Sequence, residues 1–241
     1  MYDIRGIADV DLDEEFAYKL GLAYSIYVGG SGNVCVGGDV RTTTEKYKRA
    51  LIDGLRDGGL NVIDIGIVPT PLMYFSLFNL DVVGGIQVTA SHNPKEYNGF
   101  KIAIGKETIY GEQIQKLKII IQSDIVPSKI KGNYEFHNIA EKYIEFLKER
   151  FKFEKSFNLV IDTGNGVVGY VIPQILEVLN IKYKGLFIEP DGNFPNHLPD
   201  PTVVKYMKWA IDEVKNGSYD GAFGYDGDGD RIGIVDEKGN L

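Results

Sequence analysis

The chain is poor in cysteine, in long apolar runs and in surplus positive charge. Of its 241 residues one is cysteine, Cys35. A single thiol forms neither an internal disulfide nor a cysteine-built zinc site. Its place in the apolar run Asn33-Val34-Cys35-Val36-Gly37 makes it a buried core residue. No stretch approaches the ~20 apolar residues that a membrane span needs. The N-terminal segment MYDIRGIADVDLDEEF has acidic residues where a secretory signal would carry a basic flank and an apolar run. The expectation is a cytoplasmic protein with no membrane partner. Lys and Arg number 26 against 34 Asp and Glu, a net charge of −8. That balance argues against nucleic acid, which is bound through basic patches. It leaves room for a small anionic substrate, which needs only a few cations or helix N-termini. There is no low-complexity segment, and no repeat at the residue level.

What is present is average for a globular protein: 44% hydrophobic and 25% charged residues. The length gives one large domain or two of ordinary size. Helical spacing predicts helices over residues 13–28, the segment after Arg41 up to Gly58, a start at Thr70-Pro71, then 111–121, 138–151, 167–179 and 203–215. Asp11 and Asp13 suit the first helix start, and a threonine caps the second. Short apolar runs predict strands at 34–36, 60–65, 82–89, 100–104, 157–161, 183–188, 219–223 and 232–235. Strand and helix alternate, which implies layered α/β structure. The fold class expected is two consecutive α/β domains, each a mixed sheet layered with helices, over 1–152 and 153–241. The loop 190–201, with its prolines and His197, reads as a shaped interdomain connection without chemistry. The turn Asp162-Thr163-Gly164-Asn165-Gly166 could offer free N–H groups to an anion, although a structural turn is the simpler account.

Two segments carry chemistry. In Asp226-Gly227-Asp228-Gly229-Asp230-Arg231, three carboxylates alternate with glycine. A ring of oxygen ligands suits a hard cation such as magnesium or calcium, and without one the carboxylates repel each other. A calcium loop of the EF-hand type is disfavoured, because Arg231 stands where that loop needs glycine and the flanks read as strands. A phosphatase with an aspartyl nucleophile wants a hydroxyl residue where Asp230 stands. The second segment, Thr89-Ala90-Ser91-His92-Asn93-Pro94, directly follows a strand. Open α/β sheets place ligands at that end of their strands. A serine there can act as nucleophile or carry a phosphoryl group.

Together with Tyr97-Asn98-Gly99-Phe100-Lys101, these segments resemble the α-D-phosphohexomutases, the phosphomannomutase and phosphoglucomutase enzymes. Tyr2-Asp3-Ile4-Arg5-Gly6, Asp162–Gly166 and Pro190–Asn196 are similar to that family too, and the blocks stand in family order. The resemblance implies an enzyme that interconverts hexose 6-phosphate and hexose 1-phosphate of mannose or glucose. It implies Ser91 as phosphoserine, with a hexose 1,6-bisphosphate as intermediate and activator. Asp226, Asp228 and Asp230 would hold Mg2+, with a phosphoryl oxygen on Ser91 as a further ligand. Lys101 would act as general acid or base. Arg5, Arg231 and His92 would position the phosphoryl group, and Asn93 joins Arg231 as a phosphate- or substrate-binding candidate. Family members have four domains, and the resemblance covers the first and most or all of the second. The sugar-reading and C-terminal phosphate-binding loops have no counterpart here, so the sequence reads as the front part of a longer protein. The alternative is a non-catalytic module that binds metal or sugar phosphate. The sugar, which glucosamine could also be, and the oligomeric state, including a homo-oligomer, stay open.

Overall fold

A computed structural model describes residues 3–241; Tyr2 of the first family-like block lies outside the described residues. The chain divides into two compact units. The first holds residues up to Ala90 together with Glu96–Asn138, and the second holds Ser91–Lys95 and Ile139–Leu241.

The first unit runs β1 (Ile4–Ile7), α1 (Glu14–Tyr27), β2 (Asn33–Gly38), α2 (Thr44–Asp57), β3 (Asn61–Ile67), α3 (Thr70–Asn79), β4 (Gly84–Val88), β5 (Tyr97–Ile104), β6 (Glu107–Thr108), α4 (Glu112–Ile121) and β7 (Tyr134–Phe136). Its sheet has the order β1-β5-β4-β2-β3-β7, with β6 on β5. The β2, β3, β4 and β7 pairings are parallel, while β5 is antiparallel to β4 and β1. The parallel centre is buried along its length, which is why β2 and β4 show no polar–apolar alternation; Gln87 is the buried polar exception in β4. Asp13 caps α1 by accepting from the Phe16 N–H at 2.7 Å. The expected threonine cap on α2 is absent. Thr43 makes no side-chain bond to the helix and instead accepts from Asn98 at 2.9 Å. Tyr47, Leu51 and Leu55 form the buried stripe of α2 and join Leu20, Val36, Ile86 and Phe100 in one core. Cys35 is fully buried in β2, where burial pushes its thiol up to about 12.

The second unit runs α5 (Ile139–Arg150), β8 (Asn158–Asp162), α6 (Ile172–Val178), β9 (Lys182–Leu186), α7 (Lys208–Asn216), β10 (Gly221–Tyr225) and β11 (Ile232–Val235). Its sheet has the order β11-β10-β8-β9, parallel except for the β10–β11 hairpin. Both sheets are therefore mixed, as expected. Alternation along β8 feeds two cores. Leu159 and Ile161 meet Val168, Ile172 and Leu176 on one face, and Val160 meets Ala210 and Val214 on the other.

Three expectations are corrected. The units part between Asn138 and Ile139 rather than near 152, because α5 packs on α6. The predicted helix 167–179 is a 3-10 turn, Val167–Tyr170, followed by α6. Pro173 sits in the first turn of α6, where its missing N–H costs nothing, so a new helix starts there. The 203–215 helix likewise begins as a 3-10 turn over Val204–Met207.

Candidate functional site

The segment Ser91–Lys95 leaves the end of β4 and belongs to the second unit, beside the loop between β10 and β11. That loop is a closed turn: the Asp226 N–H donates to the Arg231 carbonyl at 3.2 Å, and the Gly229 N–H to the Asp226 carbonyl at 3.1 Å. Gly229 has φ +75°, a conformation that favours glycine. At Gly227 the demand is space, since a Cβ there would lie 2.4 Å from the Ser91 carbonyl oxygen.

Ser91 is fully buried and holds φ +56°. For a residue with a side chain that conformation costs about 1–3 kcal/mol, and it persists only where the surroundings impose it. The Ser91 hydroxyl donates to Asp226 Oδ2 at 2.6 Å. His92 Nδ1 lies 3.3 Å from the same hydroxyl and accepts from Arg231 Nη1 at 2.5 Å. Asn93 is half-buried in the same turn.

Asp226, Asp228 and Asp230 each bring a carboxylate oxygen within 4.8 Å of the others. The loop is not the exposed polar turn its composition suggests: Asp226 and Asp228 are fully buried, and Asp230 alone faces solvent. Burial first, and then the Asp228 and Asp230 charges, push the Asp226 carboxyl up to about 8, against the bond from Ser91. A buried all-oxygen set that resists its own charge suits a hard divalent cation, which supplies the missing positive charge.

Arg5 and Lys101 belong to the first unit. β1 and β5 pair Arg5 with Gly99, which places Arg5 and Lys101 on one face of the sheet. Arg5 reaches one oxygen of Asp3, Oδ2, at 2.8 Å from Nε and 2.6 Å from Nη2. Lys101 is buried.

The sequence reading passed over a buried network in the first unit. Asp39 accepts from Thr44 Oγ1 and Thr89 Oγ1, each at 2.7 Å, and from Arg41 Nε at 3.2 Å. Burial pushes the Asp39 carboxyl up, while Arg41 and the two hydroxyls oppose that shift. Arg41 also donates to the Tyr97 carbonyl at 3.0 Å. The signal was an Asp-x-Arg turn at the end of a wholly apolar strand.

In the turn Asp162–Gly166, every N–H from Thr163 to Val167 finds an acceptor in the second unit. The acceptors are Leu186 O, Asp162 Oδ1, Phe187 O, Thr163 O and Gly227 O. The turn is structural, as the simpler account had it. The 190–201 loop also packs within the second unit, through Asp191 N–H to Asn165 O at 2.9 Å and Asn196 to Asn165 at 2.8 Å.

Residues 1–125 match the alpha/beta/alpha domain I of phosphoglucomutase/phosphomannomutase, and residues 141–239 match its alpha/beta/alpha domain II. The chain belongs to the phosphoglucomutase/phosphomannomutase family. It is 40% identical to a phosphomannomutase/phosphoglucomutase of Pseudomonas syringae, over all of this chain and 52% of the relative. It is 36% identical to a phosphoglucomutase of Neisseria meningitidis, over 53% of that protein. A crystal structure of a phosphoglucomutase/phosphomannomutase family protein from Burkholderia thailandensis superposes with TM-score 0.94 at 38% identity, covering 99% of this chain and 54% of that one. The chain thus spans about half the length of the relatives it matches. Among the described residues, no helix is long and apolar enough to cross a membrane.

Proposed function

We propose that the protein is a phosphohexomutase, moving a phosphoryl group between the 1- and 6-positions of mannose or glucose phosphate, with Ser91 as carrier. The observation that carries this reading is the Ser91 hydroxyl held 2.6 Å from the first carboxylate of a three-aspartate cluster. Asp226, Asp228 and Asp230 hold Mg2+, which neutralises phosphoryl charge when bound. Phosphoryl transfer depends on position and charge more than on covalent steps. The fixed φ of Ser91 and the Arg231–His92 contact supply position. Arg5, Asn93 and Arg231 contribute the donors that hold phosphoryl oxygens.

The chemistry balances through Lys101. The phosphoryl group passes from Ser91 Oγ to a sugar hydroxyl, whose proton goes to the Lys101 amine. The resulting hexose 1,6-bisphosphate turns end for end. Its other phosphoryl group returns to Ser91, and the sugar oxygen regains the proton from Lys101. The substrates are small cytoplasmic sugar phosphates rather than nucleic acid or membrane.

Asp228→Asn tests the cation assignment. It keeps the side chain's shape and removes one buried charge, so thermal stability without metal should not fall. Magnesium affinity should drop at least ~10–100-fold, the range seen when supporting groups of metal sites are lost. Calorimetry with MgCl2 on both proteins reads it, and equal affinities would remove the cluster from the cation site. The second reading, a metal- or sugar-phosphate-binding module without turnover, is favoured by the half-length match alone.

A further inference from the structure

The 190–201 loop takes no part in the chemistry above, yet it carries one of the chain's 3 histidines into the interior of the second unit. The His197 ring stacks with Tyr206 and with Trp209, with centroids at 6.0 and 5.1 Å and interplanar angles of 15° and 16°. Phe187 closes it edge-on at 5.3 Å. Both ring nitrogens face acceptors. Nδ1 is 2.9 Å from the Leu198 carbonyl oxygen, and Nε2 is 3.2 Å from each oxygen of Asp162. A neutral imidazole has one N–H, so it would set a lone pair against one of these oxygens. Only the imidazolium donates to both. The side chains of His197 and Asp162 are 6% and 2% exposed, so the pair is protected from screening by solvent.

The other titratable groups around the same small cleft are Asp200, Tyr206 and Tyr225. Asp200 is occupied by the Thr202 N–H and hydroxyl, at 3.1 and 2.6 Å. Burial pushes the Tyr225 phenol up to about 12, so it stays neutral. Burial by itself opposes a charged His197. Asp162 and the Leu198 carbonyl favour it, and the net shift is upward from the ordinary 6.5.

This pair bears on the aspartate loop through two short links. Asp162 also accepts the Gly164 N–H at 2.9 Å, which fixes the turn leading to Gly166 and Val167. The Val167 N–H donates to the Gly227 carbonyl at 3.1 Å, and a Cβ on Gly166 would lie 3.0 Å from the same oxygen. From the other side, Pro199 comes within 3.3 Å of where a Gly227 Cβ would stand. Gly227, between Asp226 and Asp228, is therefore gripped by the two segments that the His197–Asp162 pair ties together.

We propose that His197, as a buried imidazolium bridging Asp162 and the Leu198 carbonyl, is a positioning residue that sets the Asp226–Asp228 loop for its cation. The proposal rests on the reading of that cluster as a cation site. The bridge is complete below the ordinary 6.5 and is lost as pH climbs through the raised value in the folded protein.

Two measurements on the 241-residue protein test it. Two-bond nitrogen–proton spectra of the histidine side chains should show both nitrogens of His197 protonated at neutral pH, where an ordinary imidazole is mostly neutral. A neutral His197 ring there would overturn the proposal. Magnesium calorimetry then compares wild type with His197→Gln. The variant should bind about tenfold more weakly near pH 6.5, and the two should converge as pH rises and the wild-type ring loses its proton. Titration within the aspartate cluster acts on both proteins and cancels in the ratio. Asp162→Asn, which keeps an acceptor for Gly164 and removes only the counter-charge, is a milder second variant. It should return His197 to ordinary titration and weaken magnesium in the same direction. Unchanged affinity in both variants would overturn the positioning role alone. Failure of the wild type to bind Mg2+ would overturn the cation reading beneath it.

Discussion

Ser91→Ala is expected to reduce phosphoryl uptake from radiolabelled glucose 1,6-bisphosphate to background. On the proposed reading the hydroxyl is the acceptor atom, and it stands 2.6 Å from Asp226 Oδ2 in the aspartate cluster. The substitution removes the bond to Asp226 and puts alanine at φ +56°, where a side chain is strained. Ser91→Gly relieves that strain while still lacking the hydroxyl, so it separates chemistry from folding. Both variants should keep wild-type circular dichroism and take up no label. Undiminished labelling in either would move the carrier to another residue.

The 241 residues expressed alone are expected to convert glucose 1-phosphate or mannose 1-phosphate at least about a thousandfold more slowly than a full-length relative. Each unit has its own sheet and cores, so both should fold. On the proposed reading, however, the substrate presents first one end and then the other to Ser91, held each time by its hydroxyls and its distal phosphate. The family resemblance assigns those contacts to the half of the relatives' length that these residues do not match. Orientation of this kind contributes about 7–11 kcal/mol to lowering a barrier. Losing ~4 kcal/mol of it accounts for the thousandfold. A coupled assay of 6-phosphate formation, run beside a full-length relative, reads the difference. A full rate from these residues alone would mean that they, or a second copy, supply the missing contacts.

Much of this was legible in the sequence because it depends on local pattern. The apolar stripe of α2, the Asp13 cap and the runs of β2 and β4 each report a periodicity or a terminus within a few residues. The aspartate loop was legible for the same reason, its three carboxylates standing in six residues. What escaped depends on partners far away along the chain. β1 is four residues long and exists because Ile4 and Arg5 pair with Phe100 and Gly99. β7 hides in a connector containing proline and glycine and is defined by pairing with β3. The domain boundary moved because α5 packs on α6, which its own amphipathic pattern does not specify. Asp39 and His197 look like ordinary polar loop residues until the fold buries them against Thr89 and Asp162. The depth of Asp226 and Asp228 belongs with these, since composition alone makes that loop a surface turn.

Mass spectrometry of the intact protein and its peptides asks whether Ser91 carries the phosphoryl group. The protein is first treated with phosphatase, then incubated with glucose 1,6-bisphosphate and MgCl2, and its intact mass and tryptic peptides are compared before and after. A single transfer is enough, so the slow turnover expected of these residues does not prevent it. The expected result is a gain of one phosphoryl group, confined to the peptide that contains Ser91 and absent from Ser91→Gly. A phosphoryl group on any other residue, or none after prolonged incubation, would overturn Ser91 as the carrier.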